Sequence, residues 1–146
     1  MNYIKKYYYT KFSKGNIPLK KHQRELLEQK LQEEKYSIFL EKADDNYLIL
    51  TEEDLIGFFS IKINDCVEIP CLYIFEEYRN RTVGRGVIND IIFAARHNIK
   101  KDIKYVTANS FGDSIMFFLK NGFDFCKIDK KSKYKKKNIV KMYKKI

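Results

Sequence analysis

Cys71-Leu72-Tyr73-Ile74-Phe75, then Glu76-Glu77-Tyr78-Arg79-Asn80-Arg81-Thr82-Val83-Gly84, then Arg85-Gly86-Val87-Ile88 is the stretch on which the reading of this chain turns. Its first five residues form an apolar run suited to a buried strand. Beyond the loop, Val87, Ile88, Ile91, Ile92 and Ala95 recur at helical spacing as far as Arg96-His97-Asn98, where basic residues suit the negative end of a helix dipole. A strand, a loop and a helix that follow without a break bring the backbone N–H groups of a helix start, sharpened by glycine, to a place where a pyrophosphate can lie. Glycine alone does not decide this, because a strand-to-helix turn can also need it for close packing. The arginines add weight: of the five in the chain, Arg79, Arg81 and Arg85 fall within seven positions. In a chain that otherwise relies on Lys, such a cluster points to forked donors for phosphate.

Outward from this stretch, Tyr3 to Thr10 is β-prone, and Gly15-Asn16-Ile17-Pro18 leads into a helix with Leu19, Leu26, Leu27 and Leu31 on one side. Tyr36 to Glu41, Tyr47 to Thr51, Leu55 to Ile63 and Val67 to Phe75 read as four strands of an antiparallel meander. Downstream, Lys104 to Ala108 is a short strand. Asp113 or Ser110 can cap the next helix, which runs to Lys120-Asn121, and Gly122 supplies a left-handed stop. Phe123 to Ile128 and Ile139 to Tyr143 close the sheet. The order β-α-β-β-β-β-α-β-α-β-β predicts a mixed α/β sandwich. With 146 residues, no linker and no internal repeat, a single domain is expected.

Apolar residues make up 45% of the chain, with eleven Phe and eleven Tyr, a composition unlike that of a disordered segment, so a folded globule is expected. Cys66, Cys71 and Cys126 lie in apolar runs without a C-x-x-C pair, so they read as reduced core residues of a cytoplasmic protein. With only His22 and His97 to join them, no metal site is expected, and His97 reads as an end-of-helix residue. No apolar stretch is long enough to span a bilayer, so no membrane partner is expected. The net charge of +10 is uneven: residues 127–146 hold ten Lys and one Asp, which leaves +1 for everything before them.

The second informative block is Asn109-Ser110-Phe111-Gly112-Asp113-Ser114-Ile115-Met116-Phe117-Phe118-Leu119-Lys120-Asn121-Gly122-Phe123. Together the two blocks resemble the GNAT N-acetyltransferase superfamily. The first is similar to its R-x-x-G-x-G/A cofactor motif and the second to its Asn plus aromatic-helix-Gly-Phe signature. The resemblance runs from about Glu68 to Cys126 and is weak before Asp65. It implies a single GNAT-like α/β domain over residues 1–146, with a mixed, mostly antiparallel central sheet, splayed parallel strands and flanking helices. Residues 1–65 would form the acceptor-side half, 66–126 the acetyl-CoA-binding core, and 127–146 a C-terminal strand pair with a basic loop. It allows a homodimer.

Carried over onto this chain, Arg79 is the motif arginine, Thr82 stands where the first Gly usually stands, and Gly84 matches the second. Arg81-x-x-Gly84-x-Gly86 is the alternative register. In either register the resemblance implies that the amides of Thr82, Val83, Gly84, Arg85 and Gly86 face the pyrophosphate of acetyl-CoA. Pantetheine would insert between the splayed strands, with Pro70 at a bulge. Main-chain groups of Leu72 and Ile74 would bind it, the Leu72 amide would polarise the thioester carbonyl, and Asn109 would hold the pantetheine arm. Asn109 could instead simply cap the next helix.

Glu68 stands where the histone-acetylating branch carries its glutamate base, and Val67 and Ile69 give it an apolar setting suited to a proton acceptor near neutrality. The plainer alternative is a charged residue at an exposed strand start. Phe118 takes the cofactor-side place where many members have a tyrosine that protonates the leaving thiolate. The implied activity is acetyl transfer from acetyl-CoA to an amine, with no metal. Phe118 and Thr82 keep open a CoA-binding module without turnover. Lys130 to Lys137 keeps open a nucleic-acid-associated protein, or an acceptor carried on an anionic macromolecule.

Overall fold

The computed structural model describes residues 6–97, 102–111, 114–126 and 139–146. In chain order the elements are β1 (Tyr8–Phe12), α1 (Lys21–Leu31), α2 (Glu34–Lys42), β2 (Asp45–Leu50), β3 (Leu55–Ile63) and β4 (Val67–Ile74). A 3-10 turn at Glu76–Tyr78 follows, then α3 (Val83–Arg96), β5 (Tyr105–Phe111), α4 (Ile115–Lys120), β6 (Asp124–Phe125) and β7 (Ile139–Lys145). Among the described residues, seven strands form one sheet in the order β1-β2-β3-β4-β5-β7-β6. Every pairing is antiparallel except β4 against β5. The mixed, mostly antiparallel α/β architecture is the expected one.

Two apolar clusters sandwich the sheet. One joins Val67, Ile69, Val106 and Ala108 to Val83, Val87, Ile88, Ile91 and Ile92 of α3 and to Phe118 and Phe123. The other joins Leu48, Phe58, Cys71 and Phe111 to Leu27 of α1 and to Tyr36 and Leu40 of α2. Alternate strand residues feed opposite faces, so β-period patterning in β2 and β3 supplies both layers at once.

One element differs from the sequence reading. Tyr36 to Glu41 is not a strand but lies within α2, so the meander has three strands and β1 pairs directly with β2. Tyr36 and Leu40, both buried, are four residues apart and meet the same cluster, which is the helical repeat. The short apolar run satisfied a period of two equally well. In α1, Leu26 is 47% exposed, whereas Leu27 is fully buried beside Gln23. Adjacent helix positions point about 100° apart, and here the buried face of α1 takes Leu27 and leaves Leu26 at its edge. Gln23 is tolerated there because its side-chain amide donates to the Glu53 carbonyl (2.9 Å).

Ser110 sits within β5 and does not cap α4, and Asp113 lies outside the described residues. Gly122 does stop α4 with φ 85°, the left-handed region that glycine enters at no steric cost. Cys71 is fully buried, and burial pushes its thiol up to about 12. Cys66 and Cys126 are only half-buried, so the expectation of three core cysteines holds for Cys71 alone. No helix among the described residues is long and apolar enough to cross a membrane.

Candidate functional site

The parallel pair β4–β5 is short. Val67, Glu68 and Ile69 pair with Val106, Thr107 and Ala108, and there the pairing stops. Both strands continue: β4 reaches Ile74 against β3, and β5 reaches Phe111 against β7. A gap therefore opens between them. At its apex β4 carries an extra residue, since Ser60 and Lys62 pair with Cys71 and Glu68, so that Ile69 and Pro70 together oppose Ile61. A bulge at proline is what a strand does where the ladder cannot use an amide. The Asn109 side-chain amide crosses the apex and donates to the Pro70 carbonyl (3.2 Å), tying the two strands where they part.

Backbone alternation determines which groups line the gap. The Phe75 amide donates to the Ile56 carbonyl (2.9 Å), so Phe75, Tyr73 and Cys71 turn their peptide groups towards β3, and Leu72 and Ile74 turn theirs into the gap. On the far side, the Ile146 amide donates to the Lys104 carbonyl (2.9 Å), so Asn109 and Phe111 face the gap from β5. Ser114 Oγ satisfies Phe111, accepting from its amide (2.9 Å) and donating to its carbonyl (3.1 Å). What remains is a slot edged with amide donors and carbonyl acceptors, suited to an extended ligand that carries amides of its own.

The slot leads to the start of α3. Thr82 is the N-cap, at φ 64° and ψ 4°, and its side chain makes no capping bond. The first bond back along the helix runs from the Gly86 amide to the Thr82 carbonyl (3.0 Å). The Gly86 amide is thus spent inside the helix, and the outward donors are those of Val83, Gly84 and Arg85. An anion is favoured there by both the amides and the dipole.

The three arginines do not act as one cluster. Arg79 folds back on β4, where its Nε donates to the Ile74 carbonyl (2.9 Å) and its guanidinium lies 5.3 Å from the centre of the Tyr73 ring. Arg81 lies 6.0 Å from the centre of the Tyr78 ring, and Arg85 is exposed on the first turn of α3. The glycines also have local neighbours. A Cβ on Gly84 would come within 2.8 Å of Cζ of Phe117, and one on Gly86 would collide with the Tyr7 hydroxyl. A side chain at either position would have to displace the end of a neighbouring ring, whatever approaches the loop.

On the α1–α2 face, Glu68 projects opposite to Val67 and Ile69, which lie in the α3-side cluster. Its carboxylate, about a quarter exposed, meets Lys141 of β7 at 3.5 Å. Tyr36 spans the gap on this face, with its ring 5.1 Å from Tyr73 of β4 and 5.6 Å from Phe111 of β5. Burial holds the Tyr36 phenol above its ordinary range, so it stays protonated. Beside the end of β4, Leu26, Gln29, Lys30, Gln32, Glu33 and Phe75 line a cavity of about 460 Å³. On the opposite face, Phe118 is buried between Phe117 and Phe123, with ring centres 5.1 and 5.2 Å away.

Lys130 to Lys137 lies outside the described residues. His97 ends α3 as expected, stacked on Phe93 (4.1 Å), with Nδ1 donating to the Phe93 carbonyl (2.8 Å). Among the described residues no three His, Cys, Asp or Glu side chains gather into a metal-binding group. Sequence reasoning missed Tyr36, Lys141 and Tyr7 as parts of this neighbourhood. Only the spacing of Tyr36 and Leu40 carried a signal.

Comparison with known proteins agrees with this architecture. The chain matches a family model described as the acetyltransferase (GNAT) family over residues 9–123. No curated protein sequence matches it. Among solved structures, an IAA acetyltransferase from Bacillus cereus superposes with a TM-score of 0.68 at 13% identity, covering 97% of this chain and 100% of that one. A Bacillus subtilis acetyltransferase in complex with CoA gives 0.67 at 16% identity, covering 97% and 99%. A GNAT family acetyltransferase from Elizabethkingia anophelis with acetyl-CoA bound gives 0.63 at 17% identity, covering 96% and 98%.

Proposed function

The chain belongs to the acetyltransferase (GNAT) family, and on that premise we propose that it moves an acetyl group from acetyl-CoA to an amine by direct attack on the thioester. The observation that carries the proposal is the gap between β4 and β5, whose inward peptide groups at Leu72, Ile74 and Asn109 lead to the open first turn of α3. Pantetheine has two amides, and as a pseudo-strand it can exchange hydrogen bonds with those edges. The pyrophosphate then reaches the amides of Val83, Gly84 and Arg85, with Arg81 and Arg85 at hand. Arg79 acts one step back: it binds the Ile74 carbonyl and so holds the end of the gap edge and the loop together.

The Leu72 N–H points into the gap just past the bulge, where it serves as the donor to the thioester oxygen as that oxygen becomes an oxyanion. The acceptor approaches from the α1–α2 face, along Tyr36, Tyr73 and Phe111. A lysine-like ammonium, with a pKa of ~10.4, must lose a proton at a cost of roughly 4.6 kcal/mol at pH 7. Glu68 is the carboxylate on that face, and Lys141 positions it. It takes the proton directly or through water. The bond from nitrogen to the acetyl carbon forms, the carbon–sulfur bond breaks, and CoA leaves as thiolate.

The test is a mass-spectrometric screen of polyamines, amino acids and lysine peptides with isotopically labelled acetyl-CoA. Labelled acetyl on an amine nitrogen, with release of one free CoA thiol per transfer, is the expected result. Tight CoA binding with no transfer to any amine would replace the proposal with a cofactor-binding module.

A further inference from the structure

Ser110 is completely buried, and its hydroxyl has no hydrogen-bond partner among the described residues. It is the lone orphan of this kind there, and leaving a hydroxyl unpaired in a core carries a real penalty. Its position is specific. Ser110 lies on β5 two residues past Ala108, the last residue paired with β4. It shares a face with Ala108, since their partners across β7, Val140 and Met142, both belong to the α3-side cluster. At about 3.3 Å per residue, it sits some 7 Å beyond the apex, across the gap from Cys71 and Leu72 on β4, once the bulge has taken up one residue there. On that face α4 contributes Ile115, Phe117, Phe118 and Leu119 to the apolar cluster.

We propose that the Ser110 hydroxyl is the hydrogen-bond donor to the thioester sulfur as it becomes a thiolate. The inference rests on the reading above that the thioester lies in the β4–β5 gap. The two strand edges then divide the reacting group between them. The Leu72 amide takes the carbonyl oxygen from the β4 side, and Ser110 Oγ meets the sulfur from the β5 side. Ser110 keeps its proton throughout. As the carbon–sulfur bond breaks, the electron pair remains on sulfur, the hydroxyl stabilises that charge, and the thiolate is protonated by solvent after release. A buried donor is effective here because it has no competing partner to give up and little water to screen it. The same feature explains why a polar residue persists in an otherwise apolar layer.

The test needs no acceptor. Bound CoA is titrated through the ultraviolet absorbance of its thiolate in wild type, Ser110→Ala and Ser110→Thr, with desulfo-CoA affinity and melting temperature measured alongside. The expected result is an acid dissociation constant of the bound thiol about tenfold or more larger in wild type than in Ser110→Ala, with Ser110→Thr close to wild type. Desulfo-CoA should bind wild type and Ser110→Ala equally, and the unliganded Ser110→Ala should melt no lower than wild type, since it loses an unpaired hydroxyl. Equal thiol titration in wild type and Ser110→Ala with CoA bound overturns the inference while leaving the proposed function standing. Failure of wild type to bind CoA overturns the reading on which the inference rests.

Discussion

Thr82 is held at φ 64° and ψ 4°, and replacing it with glycine isolates what that conformation costs. For an L-residue the left-handed region brings Cβ against the neighbouring carbonyl at about 1–2 kcal/mol, and a β-branched side chain belongs at the upper end. Nothing offsets this locally, because the exposed Thr82 side chain makes no capping bond to the amides of α3. Glycine removes the clash but adds freedom to the unfolded chain, worth about 0.4–1 kcal/mol the other way. The net gain for Thr82→Gly is about 1–1.6 kcal/mol, or a rise in melting temperature of about 2–6 °C for a domain of this size. Thr82→Ala loses the branch but keeps Cβ and should gain less than glycine, and Thr82→Asn, which tolerates this region as Asn80 does at φ 61°, should also be more stable than wild type. Urea denaturation with equal m-values gives the differences directly. A Thr82→Gly protein less stable than wild type, or an alanine variant that gains as much as glycine, would refute the strain argument. Acetyl-CoA affinity should hold or rise in Thr82→Gly, since the amides that meet the phosphates are retained.

Gly84→Ala should lower melting temperature and acetyl-CoA affinity together because its Cβ meets Phe117, and adding Phe117→Leu should recover most of both. Loss of affinity that Phe117→Leu leaves untouched would assign Gly84 to phosphate approach. Glu68→Gln should lower turnover near neutral pH by about a hundredfold and partly recover at high pH, where the amine is already neutral. A wild-type rate and pH profile would leave Glu68 as a structural partner of Lys141. Changing Lys131, Lys133, Lys135, Lys136 and Lys137 to Gln should weaken acceptor binding at low salt and flatten its salt dependence without altering acetyl-CoA affinity. Equal acceptor affinity at low salt would remove this basic segment from recognition.

α3 starts at Val83, inside the stretch read as loop, and the splay of β4 from β5 was what the family resemblance implied, but the strands of the sheet and the presence of a helix beyond a glycine-bearing turn were legible in local pattern. Side-chain duties within that frame were not. Whether Arg79 turns towards a phosphate or back onto Ile74 depends on Tyr73 and the end of β4, and the sequence around Arg79 is the same in either case. Gly84 seemed to serve backbone approach, yet its tightest neighbour is Phe117, brought there by the packing of α4. Tyr36 fell within a six-residue stretch, Tyr36 to Glu41, whose four apolar residues fit both periods, so both its helix and its place across the gap were lost. Ser110 read as a helix cap because its significance lies in the strand order, which sets β7 behind it and the gap beside it.

Isothermal calorimetry of the wild-type protein with acetyl-CoA, CoA and a simple adenine nucleotide diphosphate tests the central claim most directly. The account predicts a single saturable site for acetyl-CoA and CoA, with much weaker binding of the nucleotide, because the β4–β5 gap adds the pantetheine arm to whatever the α3 amides contribute. No binding of acetyl-CoA, or binding no tighter than the nucleotide alone, would contradict it.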